Sequence, residues 1–126
     1  MTACIFVSYV FEDRSHFELV KRWAAEGRLG TNITMIGETE DARQRGENAV
    51  RNHLRPRIQG ASAVLLLVGQ DTHNHDWVHY ELQVATSFNK KIVAARIPGT
   101  TGTLPKGFHL LSVIPLNPDT LKNALA

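Results

Sequence analysis

Five consecutive residues, Val64-Leu65-Leu66-Leu67-Val68, carry no polar side chain, and they sit inside an apolar stretch from Ala61 to Gly69. Side chains alternate between the two faces of a strand, so an unbroken apolar run belongs to a strand that is covered on both sides. That is the condition of a central strand in a parallel sheet with helices on each face. The stretch is far shorter than the ~20 residues that a helix needs to cross a bilayer, so no membrane span is expected. A chain of 126 residues has room for one core, and a single domain over residues 1–126 is expected.

The rest of the chain repeats the same logic. Cys4-Ile5-Phe6-Val7 is a short β-rich run, Lys91 to Ile97 is another that ends at Pro98-Gly99, and Leu111 to Leu116 is a further one that ends near Pro118. Ile33-Thr34-Met35-Ile36, closed by Gly37, is a weaker strand. Between these runs the apolar period changes from two to about 3.6. Phe17, Val20, Lys21 and Ala24 share one helical stripe, Val50, Leu54 and Ile58 a second, and Trp77, Glu81, Val84, Ala85 and Phe88 a third. Strand and helix alternate, which predicts an α/β fold of flavodoxin-like type with about five parallel strands in the order 2-1-3-4-5. Pro56 lacks a backbone donor and should kink or break the second helix.

Composition narrows the function classes. Hydrophobic residues at 43% and charged residues at 21% fit a packed globular domain. A net charge of +2 gives no concentrated basic face. The one basic cluster, Arg43, Arg45, Arg51, Arg55 and Arg57, has no aromatic residue within it on which a base could stack, and it reads as a solvated helix face. Nucleic acid is therefore not an expected partner, and neither is a membrane. The N-terminus lacks a basic n-region and a cleavage site, which gives a cytoplasmic expectation. Cys4, the one cysteine, should serve as a small buried hydrophobe.

In an open sheet of this order, ligands gather outside the carboxyl ends of the strands where the order reverses, between the first and third strands. Ser8 and Gly69 should therefore lie at neighbouring strand ends. The loops expected there are Ser8-Tyr9-Val10-Phe11-Glu12-Asp13 and Gly69 to Trp77, both rich in polar and aromatic groups. Trp77 and Glu81 are four residues apart, on the stripe that packs against the sheet, so Glu81 points inward. A carboxylate out of water costs several kcal/mol unless it is paired or hydrogen-bonded, which marks Glu81 as a site candidate or a structural polar partner. Phosphate-binding glycine loops are absent from the sequence. His73, His75 and His79 lack a completing cysteine or carboxylate, so no metal is expected. Glu12, Asp13 and Asp71 faintly suggest a phospho-receiver, but the fourth strand closes at Arg96-Ile97-Pro98 with no hydroxyl residue. Asp13 is read more simply as the N-cap of the first helix.

These residues resemble a known family. Ile5-Phe6-Val7-Ser8-Tyr9 followed by Asp13, then Ala63 to Gly69, then Trp77-Val78-His79-Tyr80-Glu81 with Ala85, look like TIR-like domains over roughly residues 3 to 98. The nearest likeness is to the small bacterial TIR-like proteins of Thoeris-type antiphage defence. The resemblance implies a three-layer, flavodoxin-like sandwich and an enzyme that cleaves the nicotinamide–ribose bond of NAD to make an ADP-ribose-derived signal, hydrolysed, cyclised or transferred. It implies that Glu81 is catalytic and that Ser8, Tyr9, Phe11, Asp13, Gly69 and Trp77, the aromatic residue one turn before the glutamate, bind the substrate. NAD would be a substrate, with no cofactor. Residues 37 to 47 would be the loop that mediates self-association and gates the site, and a downstream effector protein would sense the product. The rival expectation is a non-catalytic TIR-like adaptor acting by self-association.

Overall fold

The structure is a computed structural model that describes residues 3–37 and 54–126. Five parallel strands run through the described residues: β1 (Ala3–Ser8), β2 (Ile33–Gly37), β3 (Ala63–Val68), β4 (Lys91–Arg96) and β5 (Val113–Pro115). They are ordered β2-β1-β3-β4-β5, as the alternation predicts. The helices are α1 (Arg14–Ala25), α2, described over 54–59, α3 (Asp76–Ser87) and α4 (Pro118–Leu125).

All six residues of β3 are buried, because both of its faces are roofed. Leu65 and Leu67 pack with Ile5, Val7, Phe17, Val20 and Leu121 on the side of α1 and α4. Val64, Leu66 and Val68 pack with Phe6, Leu54, Ile58, Val78 and Leu82 on the side of α2 and α3. The period-two alternation of a fully apolar strand thus sorts neighbouring residues into two cores.

Helices α1 and α3 stop by the same device. Gly27 (φ +77°) and Asn89 (φ +56°) take the left-handed conformation just past each helix, which glycine and asparagine adopt most readily. Arg28 N then donates to Trp23 O at 2.9 Å, and Lys90 N to Ala85 O at 2.9 Å, closing the last turns. Each reversal delivers the chain back to the next strand.

Two expectations are corrected here, and a third falls partly outside the described residues. The last strand is only Val113–Pro115, because register with β4 runs from Ala94↔Val113 to Arg96↔Pro115 and leaves Leu111, Ser112 and Leu116 outside the ladder. Helix α2 runs through Pro56 over the described residues 54–59, and residue 52, whose carbonyl the proline leaves without a donor, lies outside them, as does the turn where the sequence predicts a kink or break. Cys4 is half-buried rather than sealed, since it precedes the buried end of β1. Val50 and Arg43, Arg45 and Arg51 of the basic cluster lie outside the described residues, as do residues 38 to 47 of the loop after β2. Of the remaining arginines, Arg55 is exposed with its guanidinium 5.5 Å from the Phe88 ring centroid, and Arg57 donates to Gly37 O at 3.4 Å.

Truncating a wholly buried leucine removes its transfer free energy and leaves a cavity. Leu66→Ala should therefore lower the unfolding free energy by about 2–5 kcal/mol, whereas Leu110→Ala, at a side chain that is 100% exposed, should change it by less than about 0.5 kcal/mol. Urea unfolding of the two variants checks this, and equal effects would contradict the burial pattern.

Candidate active site

Among the described residues, the polar or charged side chains that are buried are Ser8, Thr72 and Glu81, each with no exposed surface. Burying a polar group away from partners costs free energy, so such groups are normally scattered and few. Here all three belong to the carboxyl ends of β1 and β3 and to the helix that follows β3. Ser8 pairs in register with Leu66, which places it beside the strand end that Gly69 follows. The two sequence-predicted loops therefore meet at the point where the sheet reverses its order.

The side chain of Ser8 lies on the same face of β1 as Phe6, the face that α3 covers, two residues on in the strand alternation. Its Oγ donates to Glu81 Oε1 at 3.0 Å, a buried bond between residues 73 apart in sequence. On α3, Glu81 shares its buried stripe with Val78, Leu82, Val84 and Ala85. Helical periodicity makes Glu81 point inward, and the strand end supplies a hydroxyl to meet it. Each residue was legible in the sequence, and their bond was not.

Asp13 occupies the position expected of an N-cap, but its side chain makes no capping hydrogen bond to α1. The carboxylate instead turns across to β3, where a Cβ on Gly69 would overlap it. Only a glycine leaves room for that approach. Oδ2 is buried, with no hydrogen-bond partner among the described residues. Burial pushes the Asp13 carboxyl above its ordinary value of 3.8, Glu12 and Asp71 push the same way, and His16 and His75 oppose them. The N-cap expectation fails because the packing of the strand ends governs this side chain, in place of the helix amides.

The aromatic candidates separate. Tyr9 is buried, its ring stacked on Phe17 at 4.6 Å on the α1 side of the sheet. A Cβ on Gly37 would fall 2.8 Å from Phe17 Cζ and 3.1 Å from Tyr9 Cε1, so this stack fills the space above the end of β2. Phe11 is 43% exposed, with the Arg14 guanidinium 4.7 Å from its centroid. Trp77 is half-buried, edge-on to Tyr80 at 6.2 Å, and packs on the α3-side core. His75 directly precedes α3, and His79 lies edge-on to Phe108 at 5.7 Å.

Thr72 was not singled out by sequence reasoning. Its Oγ1 accepts from Gly69 N at 2.8 Å and donates to Leu67 O at 3.2 Å, pinning the loop after β3 to its own strand. A hydroxyl three residues after a strand-ending glycine is a turn signal that could have been read. The next loop braces the same segment. Gln70 exchanges side-chain bonds with Thr101, Thr100 Oγ1 donates to Val68 O at 3.2 Å, and a Cβ on Gly102 would overlap the Gly69 carbonyl.

A five-stranded parallel sheet in the order β2-β1-β3-β4-β5, with helices on both faces, is the fold of TIR-like domains. Residues 6–102 match the family model described as Thoeris protein ThsB, TIR-like domain, and the chain belongs to that family. Among solved structures, the TIR domain of the Toll-related receptor TRR-2 from the lower metazoan Hydra magnipapillata is similar, with a TM-score of 0.65 at 14% identity over 96% of this chain and 90% of that one. A prokaryotic SEFIR domain gives a TM-score of 0.60 at 14% identity over 98% and 87%. At such identities the likeness is one of fold. No curated protein gives a significant match.

The raised pKa of Asp13 has a sign that can be tested. The native state keeps this proton at pH values where the unfolded chain has lost it, so stability falls as pH rises from 3.8 through the raised value, and the penalty persists above it. Asp13→Asn should therefore raise the Tm near neutral pH and lose that advantage below pH 3.8. A lower Tm for the variant at neutral pH would show instead that the ionised carboxylate is held by a favourable partner.

Proposed function

We propose that this chain consumes NAD, cleaving the nicotinamide–ribose bond and releasing an ADP-ribose-derived nucleotide, a cyclic one included, as a signal in antiphage defence. The observation that carries this reading is Glu81, wholly buried at the switch point of the sheet and bonded to Ser8. A purely structural position of this kind would be filled more cheaply by an apolar side chain of similar volume. The family membership supports the defence role, and a downstream effector protein would read the product.

The chemistry asks for little beyond a placed carboxylate. When the bond between the sugar and nicotinamide breaks, the electron pair leaves with nicotinamide, which departs as a neutral molecule. Positive charge develops on the ribose, and water or a hydroxyl of the same or another molecule then adds to it. Glu81 would bond the ribose hydroxyls and stabilise that charge, as carboxylates do in glycoside cleavage. Ser8 would fix the orientation of the carboxylate. Phe11, exposed at the end of β1, and Trp77 would offer aromatic faces to the rings of the dinucleotide. Asp13 and Gly69 would shape the floor of the pocket, with Tyr9 supporting it from the core.

In this conformation neither Ser8 nor Glu81 has exposed surface, so substrate reaches the carboxylate only after the site opens. That supports a latent enzyme, in which association or a trigger exposes the site. The same seal also suits the second reading, a non-catalytic TIR-like adaptor that acts by self-association and never exposes the carboxylate. Two measurements separate them. Nicotinamide release per molecule should rise with protein concentration or on addition of infected-cell lysate, and a constant rate over a wide dilution series without trigger would contradict latency.

Glu81→Gln keeps size and hydrogen bonding and loses the negative charge. It should lower nicotinamide release by a factor of about 10² to 10³, in kcat more than in KM. The Tm should stay level or rise, since the neutral amide relieves desolvation. A structural role predicts the reverse pair, a lower Tm with cleavage still measurable.

A further inference from the structure

A second concavity lies two strands away from Glu81, at the carboxyl ends of β4 and β5. It has a volume of about 490 Å³ and is lined by Arg96, Pro98 and the segment from Val113 to Asn117. The volume falls within the range of small-molecule sites. Its wall is apolar except for two residues. The Asn117 Oδ1 is committed, since it accepts from Thr120 N at 2.9 Å and caps α4, which leaves this side chain only N–H groups to offer a ligand.

Arg96 is different. It is half-buried, and its Nη1 donates to Thr100 O at 3.3 Å and Gly102 O at 2.9 Å. A guanidinium has five N–H donors and a charge that no carbonyl neutralises. The donors on Nε and Nη2 meet no hydrogen-bond partner among the described residues, and the ion pairs found there, Lys21 with Glu18 and Arg28 with Glu26, do not include Arg96. A partly desolvated cation with its planar donor edge unused, set in an apolar hollow, is complementary to an anion that carries an apolar body.

We propose that this hollow is a binding site for a small organic anion, a carboxylate with a short branched aliphatic body, whose charge pairs with Arg96 and whose body rests on Pro98 and on Val113 and Pro115, the β5 residues that share the Arg96 face of the sheet. It is separate from the Glu81 site and does not depend on NAD cleavage. Two of the Arg96 donors already hold the loop after β4, so the cation is positioned before the ligand arrives.

The test is a methyl-resolved NMR titration of the full chain with 4-methylpentanoate, with its uncharged amide and with inorganic phosphate. Saturable shifts of the Val113 and Ile114 methyls by the carboxylate are expected, with the amide and phosphate each weaker by about tenfold or more. Arg96→Gln should weaken the carboxylate about tenfold or more. Because Arg96 also holds the Thr100 and Gly102 carbonyls, Val113→Asp provides the second variant: it sets a charge like that of the ligand at a position 36% exposed that takes no part in those bonds. It should weaken binding in the same direction, while Glu81→Gln should leave it unchanged. Absence of saturable shifts, equal binding by the amide or by phosphate, undiminished binding in both Arg96→Gln and Val113→Asp, or loss in Glu81→Gln would each overturn the proposal.

Discussion

The third strand must be hidden on both faces, and the other elements arrange themselves around that requirement. Six residues from Ala63 to Val68 have no exposed face, so helices are needed above and below, and each needs a crossover from one parallel strand to the next. The crossovers to β2 and β3 lie on opposite sides of β1, which opens a crevice between β1 and β3. Glu81 sits at that crevice because the helix roofing β3 on one side begins beside its carboxyl end. The position of the candidate site is thus a by-product of covering an apolar strand.

How much of this was legible depends on what each residue responds to. Apolar periodicity answers to the two cores, and it recovered the sheet order, the extent of β3 and the inward direction of Glu81. Those features are set by burial of many residues at once. Features set by one contact were not recovered. Asp13 has the sequence position of a helix cap, but it turns toward Gly69, which no local pattern reveals. The Leu111 to Leu116 run looks like a full strand, and only Val113, Ile114 and Pro115 within it find register with β4. The bond from Ser8 to Glu81 spans 73 residues and depends on how α3 settles on β1. Residues 38–53, which hold most of the loop after β2, lie outside the described residues.

The loops at the carboxyl edge are joined as one layer. Thr72 ties the loop after β3 to Leu67, Gln70 ties it to Thr101, and Arg96 holds the carbonyls of Thr100 and Gly102. Gly69 is enclosed from both sides, by the Asp13 carboxylate and by the backbone of Gly102. The floor of the Glu81 site and the wall of the Arg96 hollow therefore share a continuous set of hydrogen bonds, and a change in the 100–102 segment has a short physical route to Gly69.

The short last strand has a consequence for how copies of this domain can meet. An open sheet edge normally offers a ladder of amide donors to another chain. Here the ladder of β5 is three residues long and ends in Pro115, which has no N–H to give. That border of the sheet is closed to templated growth, so any filament or ring containing this domain that involves this border must be joined there by side chains.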